Sequence, residues 1–378
     1  MKVVLAPDSF KESVSAPDAA AALAAGVRQV CPDACCVEVP MADGGEGFTR
    51  AVAASLGARL RSVEVVDALG RPVTAEFAIA GERAIVEVAA AVGLGVIDPG
   101  KRDIRAASSQ GVGQLIRAAL DAGARDVLVG LGGSATSDAG AGMLEALGVR
   151  FLDGAGARLE PTPARLAGLA RVDTSGLDPR LGSVTLTGAS DVTNPLLGDQ
   201  GAAAVFGPQK GATGDDVRFL DEGARRVERA VAAALPRAAG LADAPGAGAA
   251  GGLGWALLAL GATLRPGVQI VADAVGLREI LADADLVIAG EGALDRQTLD
   301  GKTPAGVAEL AREAGVPCVL VGGSVRPGAD ALLGRGATAL VPIVPGVVTL
   351  EDALADGAEN LTRTAATIMR LATLGLAP

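Results

Sequence analysis

The chain has 378 residues, half of them hydrophobic and a fifth charged, which predicts about two domains and excludes a fibrous or disordered protein. A net charge of −11 and an aromatic content of 2% oppose nucleic-acid binding, which depends on basic residues against phosphates and on aromatic stacking against bases. Histidine and tyrosine are absent, which excludes Ser-His-Asp triads and histidine-ligated metals, so any catalysis must use carboxylates, lysines, hydroxyls or backbone groups.

Short apolar runs rich in β-branched residues predict strands, and the Ala/Leu-rich stretches between them predict helices. The predicted strands are 3–6, 37–39, 60–66, 73–80, 84–88, 127–130, 184–187, 286–289, 319–321 and 339–344. Capping residues, such as Ser15 and Thr303, and terminal glycines predict helices at 15–30, 109–122, 303–314 and 349–372. This alternation is typical of α/β proteins with parallel sheets.

The composition shifts after residue 66, because residues 67–90 alternate apolar and polar positions on either side of Gly81, as in a β-hairpin. We therefore expect two α/β domains, one inserted into the other. The outer domain is predicted to comprise residues 1–66 and 285–378, and the inserted domain residues 67–284.

No segment of the sequence indicates export or membrane insertion. The apolar run 3–6 is too short for the core of a signal peptide. The charge-free stretch 244–264 is rich in glycine, so we interpret it as a loop leading into a buried helix at 253–260. The four cysteines lack a C-x-x-C pair, and a chain of this size needs no disulfide. We expect a cytoplasmic protein with reduced thiols and no membrane contact.

Polar residues and glycines are concentrated just after four predicted strands, at residues 8–11, 43–47, 132–138 and 191–194. Ligands of open α/β sheets bind beyond the carboxyl ends of the strands, so the four segments together predict a site, although turn chemistry explains any one of them alone. Glycine loops that precede helices expose backbone amides, which favour phosphate as the ligand.

Charged side chains in and near these segments fit a phosphate-binding enzyme. Three lysines adjoin glycines or turns and would offset the charge of an anionic ligand on an acidic chain. They are Lys11, Lys210 and Lys302. The carboxylates that suit either Mg²⁺ or a general base are Asp8, Asp43, Asp191, Glu291 and Asp295. The residue types alone do not distinguish a metal ligand from a base.

Three classes of function remain open from these residues. A Walker A loop is excluded, because Arg296 stands where the run 301–303 would require the first glycine. Residues 130–135 match the G-x-G-x-x-A dinucleotide fingerprint, with Asp153 downstream, which keeps an NAD(P)-dependent oxidoreductase of a small hydroxy acid as an alternative. A kinase and a non-catalytic protein that binds small anions are the other two.

Seven segments, in the same order along residues 1–370, resemble the type I bacterial glycerate kinase family. They are 6–11, 42–47, 132–136, 191–198, 206–211, 246–254 and 295–302. The resemblance implies transfer of the γ-phosphoryl group of ATP, with Mg²⁺, to D-glycerate, giving 2-phosphoglycerate. It also implies a flavodoxin-like parallel-sheet domain with a second α/β domain inserted into it and an active-site cleft between them. We expect a monomer or homodimer whose partners are the small molecules glycerate and ATP.

The catalytic roles follow from this resemblance and from the chemistry of phosphoryl transfer, which requires positioning and charge more than covalent work. Lys11, Lys210 and Lys302 are expected to balance the charge of the phosphates. Asp191 is the first choice for the general base that accepts the proton of the substrate hydroxyl, and Asp295 is the second.

Binding roles are expected of further residues in the same segments. Asp8 and Asp43 would hold Mg²⁺, and Arg105 with Ser108 and Ser109 would hold the substrate carboxylate. The residues expected to contact the nucleotide are Asp8, Ser9, Gly44, Gly45, Gly132, Gly133, Ser134, Ser137 and Asn194.

The chain departs from the usual pattern of the family at three positions. Glu12 and Ala139 stand where glycine is common, and Ser137 stands where asparagine is common. A serine hydroxyl still donates a hydrogen bond in place of the amide. Because positions 137 and 139 fall in a predicted phosphate loop, we expect the changes there to affect rate and affinity more than fold.

Overall fold

A computed structural model of the protein describes residues 1–42, 44–45 and 47–374. Within these residues the strands are β1 (Lys2–Pro7), β2 (Cys35–Glu38), β3 (Arg59–Val66), β4 (Pro72–Ala80), β5 (Arg83–Glu87), β6 (Asp126–Gly130), β7 (Arg150–Leu152), β8 (Arg171–Asp173), β9 (Thr185–Ala189), β10 (Thr263–Arg265), β11 (Leu286–Leu294), β12 (Cys318–Val325) and β13 (Ala339–Pro342). Each strand predicted from the sequence overlaps one of these.

The helices of the same described residues cover much of the remaining chain. The α-helices are α1 (Ala16–Val30), α2 (Phe48–Leu56), α3 (Val88–Val92), α4 (Gln110–Asp121), α5 (Ala141–Ala146), α6 (Pro163–Leu166), α7 (Ala202–Phe206), α8 (Gly214–Ala234), α9 (Ala249–Ala259), α10 (Gly267–Val275), α11 (Leu277–Leu281), α12 (Thr303–Glu313), α13 (Leu350–Ala355) and α14 (Gly357–Ala372). Short 3₁₀ turns lie at Leu94–Val96, Pro99–Lys101, Pro179–Gly182, Pro208–Lys210, Pro236–Ala238, Leu241–Asp243, Arg296–Asp300 and Ala329–Arg335.

The chain folds as two compact units, Met1–Asp43 with Pro266–Pro378 and, inserted between them in sequence, Gly44–Arg265. The boundaries therefore follow residues 43 and 265, whereas the sequence predicts 66 and 284. The first difference arises because β3 pairs antiparallel with β4 over its full length, which makes β3 part of the second sheet. The second arises because α10 packs on α12 of the first unit.

The sheet of the first unit is parallel throughout, in the order β13-β12-β11-β1-β2. Counted within this unit the order is 2-1-3-4-5 from the other edge, which is the flavodoxin order, so the predicted fold class is confirmed. The central strands β1 and β11 lie side by side, with Leu5 opposite Ile288, and both side chains are buried. The chain connections leave these two strands in opposite directions, so the carboxyl ends of β1 and β11 form the topological switch point where such folds bind ligands.

The sheet of the second unit is mixed, in the order β10-β9-β6-β5-β4-β3. Strands β10, β9, β6 and β5 are parallel, and β4 and β3 extend the sheet in antiparallel fashion. The hairpin predicted in residues 67–90 is confirmed as β4 and β5, where Ala80 pairs with Arg83. The carboxyl ends of the four parallel strands lie at one edge, which places the loops after β5, β6 and β9 near each other.

The helix ends differ from the sequence predictions in two places. The predicted single helix 349–372 is two helices, α13 and α14, because Asp356 between them leaves the helical conformation. The cap of α12 is Lys302 and not Thr303, which is instead the first helical residue. Ser15 does cap α1, and its hydroxyl accepts a hydrogen bond from the amide of Asp18.

The glycine-rich stretch 244–264 forms a loop, the buried helix α9, whose Leu253 and Trp255 are completely buried, and the start of β10. In the described part of the chain, no helix combines the length and the apolar character needed to cross a membrane.

Candidate active site

Two carboxylates mark the switch point of the first unit. Asp8 follows β1 and is 9% exposed, and Glu291 lies on the adjacent strand β11. One oxygen of Asp8 accepts a hydrogen bond from the Ser9 amide, and the other accepts one from the hydroxyl of Thr303, both at 2.6 Å. Thr303 is completely buried at the first position of α12. The Asp8 carboxylate therefore fastens the start of α12 to the end of β1.

Predicted site residues of the segment 295–302 gather around Glu291. The hydroxyl of Thr298 donates to Glu291 Oε1 at 2.8 Å, and Lys302 Nζ lies 3.5 Å from Glu291 Oε2. Asp295 begins the 3₁₀ turn, where its Oδ1 accepts from the Gln297 amide at 2.8 Å. Its other oxygen lies 3.7 Å from a guanidinium nitrogen of Arg326. Both oxygens of Asp295 are thus engaged.

Lysine side chains of the first unit differ in their surroundings. Lys302 is partly buried at the start of α12, where its ammonium group neutralises Glu291. Lys11 is exposed on the turn that follows β1. The backbone amide of Lys11 lies close to Gly292, where a Cβ would stand 3.6 Å from that nitrogen. The exposed lysine thus belongs to a turn that lies against β11, next to the carboxylate pair.

Lys210 is the most deeply buried cation of the predicted set. It ends the 3₁₀ turn Pro208–Lys210 of the second unit and is 2% exposed. Its Nζ donates to Ser134 Oγ at 2.9 Å and to the Thr136 carbonyl at 2.6 Å. Burial lowers the pKa of Lys210 to about 7, and the Asp138 carboxylate opposes this by favouring the charged form. An amine whose pKa is so close to neutrality is typical of a functional site.

Asp138 lies in the same loop and is 3% exposed. Its Oδ2 accepts hydrogen bonds from the amide and the hydroxyl of Ser109 and from the Gly142 amide, at 2.7 to 3.0 Å. Its Oδ1 accepts from the Gly140 amide at 3.0 Å. The pKa of Asp138 is raised, because the effect of burial outweighs that of these hydrogen bonds, which favour the carboxylate. The loop after β6 is therefore tied to the starts of α4 and α5.

Glycines let two loops of the second unit approach each other closely. The Gly132 amide donates to the Gly44 carbonyl at 2.9 Å, and a Cβ at Gly132 would lie 2.3 Å from the Cα of Gly45. Gly133 has a φ of 71°, a conformation that favours glycine. The Gly132 amide already donates to a carbonyl of the protein, and the close approach to Gly45 by itself requires a glycine at this position.

A buried glutamate occupies the start of α2, where the loop 43–47 is predicted to present amides to phosphate. Glu87 ends β5 and is 6% exposed, and it accepts hydrogen bonds from the amides of Gly47 and Thr49, both at 3.1 Å. A carboxylate at a helix N-terminus is stabilised by the helix dipole. These two amides are therefore satisfied by the protein itself.

The loops after β9 and before α9 also meet. The Gly248 amide donates to the Asn194 carbonyl at 2.9 Å, and the side-chain amide of Asn194 donates to the Gln200 carbonyl, also at 2.9 Å. The side chain of Asn194 thus holds its own loop. Asp191 is partly buried just beyond the end of β9. It lies at the same edge of the sheet as the loop after β6.

The start of α9 packs on the loop that holds Lys210. The Ala139 amide donates to the Gly251 carbonyl at 3.0 Å, and a Cβ at Gly251 would lie 2.0 Å from the Thr136 carbonyl oxygen. Gly251 has a φ of 71°. Segments 132–138, 206–211 and 246–254, which are far apart in sequence, therefore form one compact part of the second unit.

The residues predicted to hold the substrate carboxylate are engaged inside the second unit. Arg105 Nε donates to Asp216 Oδ1 at 2.6 Å, and its guanidinium carbon lies 4.5 Å from the centroid of the Phe219 ring. The hydroxyl of Ser109 donates to Asp138 and accepts from the Met143 amide. Their role toward a substrate stays a prediction.

Ser108 and Ser137 are buried in the same region. The hydroxyl of Ser108 has no hydrogen-bond partner among the described residues. The Ser108 hydroxyl is therefore still available as a donor to a substrate carboxylate, whereas the Ser109 hydroxyl is already bonded to Asp138.

The donor chemistry of the first unit fits magnesium. Asp8 and Glu291 supply carboxylate oxygens and Thr298 and Thr303 supply hydroxyls, and oxygen is the ligand that Mg²⁺ takes. No group of three or more carboxylates or cysteines in the described residues forms a metal cage by itself. Mg²⁺ commonly uses one or two carboxylates together with substrate phosphates. The other predicted ligand, Asp43, lies outside the described residues.

Comparison with known proteins identifies the family. The model of the glycerate kinase family matches residues 3–373. The chain belongs to the glycerate kinase family. A glycerate kinase of Bacillus subtilis (strain 168) is 47% identical over 368 residues, covering 97% of this chain and 96% of that protein. The glycerate 2-kinase of Escherichia coli (strain K12) is 41% identical over 379 residues, covering 100% and 99%.

A solved structure supports the same conclusion. The crystal structure of a glycerate kinase 2 from Salmonella typhimurium LT2 matches with a TM-score of 0.85 and 44% sequence identity, covering 100% of this chain and 99% of that one. The chain is therefore an enzyme, a kinase, and the alternative of a non-catalytic anion-binding protein is wrong.

The fold around residues 130–135 also removes the oxidoreductase alternative. In a dinucleotide-binding unit the helix begins within the glycine loop, so that its N-terminus meets the pyrophosphate. In this glycerate kinase α5 begins only at Ala141, and the intervening loop is occupied by Lys210 and Asp138 contacts. The match to the fingerprint arises from a glycine-rich sequence and not from the corresponding structure.

Two of the three departures from the family pattern are residues with positive φ. Glu12 has a φ of 64° and Ala139 a φ of 54°. Such conformations favour glycine and cost other residues about 1 kcal/mol or more. A glycine at either position would adopt the same backbone without this cost.

We expect Glu12→Gly to raise the free energy of unfolding by about 0.5–1 kcal/mol, because Glu12 is exposed and loses little except strain. Ala139→Gly should gain less, since it also removes a buried methyl group. Urea unfolding followed by circular dichroism measures both. Glu12→Ala keeps the strain and is the matched control; equal stabilisation by Ala and Gly would show that the side chain, not the backbone, is responsible.

Several residues of the site were missed by the sequence analysis as functional. Glu87 accepts a hydrogen bond at the start of α2. The hydroxyls of Thr303 and Thr298 donate to the candidate carboxylates Asp8 and Glu291. Glu87 could have been found, because it ends a predicted strand at the edge where the other site loops lie. Thr303 and Thr298 had no signal of their own, since a threonine hydroxyl becomes relevant only when its acceptor is known.

Proposed function

We propose that this kinase transfers the γ-phosphoryl group of ATP, as its Mg²⁺ complex, to the 2-hydroxyl of D-glycerate and releases 2-phosphoglycerate. The similarity over the whole chain to the Escherichia coli protein named glycerate 2-kinase carries this proposal. ATP as the donor is supported by the buried lysine in the glycine-rich part of the second unit and by the carboxylates and lysine at the switch point of the first.

The reaction requires the negative charge of the phosphates to be balanced while the acceptor hydroxyl loses its proton. Lys210, with its ammonium directed by Ser134 and Thr136, is proposed to contact the transferring phosphate. Lys302 and Lys11 are proposed to balance the remaining charge from the first unit. Lys302 now neutralises Glu291, so phosphate binding would compete with that ion pair.

Asp191 is proposed as the general base. It follows β9 at the edge of the sheet where the Lys210 loop also lies, and it is only partly buried. Asp295, the second candidate, has one oxygen bonded to the Gln297 amide and the other facing Arg326. Asp191 is kept as the first candidate because it lies at the same sheet edge as the Lys210 loop.

Asp8 and Glu291 are proposed to hold the magnesium ion, with Asp43 as a further ligand. When bound, the ion would neutralise part of the phosphate charge. The protein's own contribution is to hold Asp8, just after β1, and Glu291, within the neighbouring strand β11, through the hydroxyls of Thr303 and Thr298.

Phosphorus NMR of the product tests the proposal. The purified protein is incubated with ATP, MgCl₂ and D-glycerate, and ADP formation is followed by a coupled assay. We expect ADP formation that requires glycerate and a phosphorus spectrum that matches authentic 2-phosphoglycerate. The spectrum of 3-phosphoglycerate would contradict the regiochemistry, and equal rates with another nucleoside triphosphate would contradict the preference for ATP.

A further inference from the structure

The side chain of Lys210 is held by hydrogen bonds that leave some of its hydrogen-bonding capacity unused. Its ammonium has three N–H donors, of which two are bonded, to Ser134 Oγ and to the Thr136 carbonyl. The third has no partner among the described residues. The adjacent hydroxyl of Thr136 is buried and likewise without a hydrogen-bond partner there. A buried cation and a buried hydroxyl with unused hydrogen-bonding capacity indicate that a ligand atom completes the site.

The charged groups around Lys210 are few. The turn 207–211 that carries it contributes no other charge, and α7, which packs against this turn, contains only Ala, Val and Phe. In the loop 134–138 the one titratable residue is Asp138, and its carboxylate acts on the Lys210 ammonium. Asp138 is therefore the counter-charge of Lys210 within these elements.

We propose that Asp138 is a positioning residue for the reaction, which holds the loop 134–142 in place and supplies a negative charge that favours the protonated form of Lys210, and that Lys210 completes its protonation when the phosphoryl donor binds. The inference rests on the proposed function, since it assumes that Lys210 contacts the phosphates. The four hydrogen bonds to Asp138 fix the loop, and the loop supplies both acceptors of Lys210.

The direction of the proton movement follows from the burial of the amine. Burial lowers the pKa of Lys210 to about 7, so near neutral pH the ligand-free enzyme is partly deprotonated at this residue. A phosphate brought beside the amine favours the charged form and raises its pKa. Binding must therefore take up protons, less than half a proton per site below pH 7 and more than half above it.

Calorimetric titration with Mg²⁺ and ADP, in pairs of buffers with different ionisation enthalpies, measures this uptake. We expect the uptake to rise from pH 6 to pH 8 with a midpoint near 7 in the unaltered enzyme. The difference in uptake between the unaltered enzyme and Lys210→Met isolates the amine from protons bound by the ligand itself, and we expect this difference to rise with pH. A difference that does not change with pH, or no difference between the two proteins, would overturn the proposal without any Asp138 variant.

The variant Asp138→Asn tests the role of Asp138 separately from the role of Lys210. Removal of the charge should move the midpoint down by about one pH unit or more, so that uptake at pH 7 increases. Asp126→Asn, at the opposite end of β6 and paired with Arg83, is the matched control and should leave the midpoint unchanged. Circular dichroism checks that both variants fold.

An unchanged midpoint in a folded Asp138→Asn variant would refute the role of Asp138, while the proposed function would stand. If instead Lys210→Met binds ADP and turns over like the unaltered enzyme, the proposed role of Lys210 is itself refuted. The identity of the phosphorylated product is established separately by the phosphorus spectrum. The two failures are therefore distinguishable.

Discussion

Lys210→Met should lower kcat/KM for ATP by about 10²- to 10³-fold while leaving the protein folded. The substitution keeps the length of the side chain and removes its charge from the loop where the phosphate is proposed to bind. Loss of a buried ammonium relieves the cost of its desolvation, whereas the Ser134 hydroxyl and the Thr136 carbonyl lose a donor, at about 1–3 kcal/mol. The two effects on stability oppose each other, so activity should change far more than stability.

Steady-state kinetics over a range of ATP and glycerate concentrations measure this effect, together with the midpoint of thermal unfolding. Lys101→Met is the matched control, because Lys101 is exposed and paired only with Asp98 at 3.7 Å among its described neighbours. The control should retain full activity. A Lys210→Met variant that keeps its kcat/KM would show that the buried ammonium serves the fold alone.

The fold was predictable where local patterns decide it. The parallel sheet of the first unit follows from apolar runs such as 286–289 alternating with helices, and its flavodoxin-like order is confirmed. The boundaries were not predictable, because they depend on pairing. The run 60–66 reads as a strand in any sheet, and only its antiparallel pairing with β4 assigns it to the second unit.

The sequence predicts which segments form the candidate site better than it predicts the role of each residue in them. The rule that ligands bind beyond strand ends points to the ends of β1, β6 and β9, and the structure buries the lysine of the glycine turn 207–211 against the loop that follows β6. The uses of the amides were not predictable. The sequence shows that Gly132 and Gly47 lie in glycine loops, but not that the Gly44 carbonyl and the Glu87 carboxylate already accept their hydrogen bonds.

Buried polar contacts between distant segments have no local signature. Asp138 and Ser109 are separated by a strand and a helix, and Asp8 and Thr303 belong to opposite ends of the chain. In each case a carboxylate in the connection that follows a strand fixes the start of a helix. This arrangement gives the kinase rigid supports behind both groups of candidate residues, which phosphoryl transfer requires because its catalysis is mostly positioning.

Asp191→Asn should lower kcat by about 10²- to 10⁴-fold and change the KM for ATP only modestly. The amide is nearly the same size as the carboxylate but cannot accept a proton from the substrate hydroxyl. The loop that carries Asp191 is also held by hydrogen bonds of its neighbours, from the Asn194 side chain to the Gln200 carbonyl and from the Gly248 amide to the Asn194 carbonyl, so we expect the variant to keep the loop in place.

Asp199→Asn provides the matched control, since Asp199 is exposed in the same connection between β9 and α7. It should leave both kinetic constants unchanged. A pH profile of kcat adds a second criterion, because loss of the base should remove the acidic limb of that profile, whereas a purely structural role would lower kcat equally at every pH. Near-normal turnover by Asp191→Asn would exclude it as the base and leave Asp295 as the carboxylate to test, despite its contacts with Gln297 and Arg326.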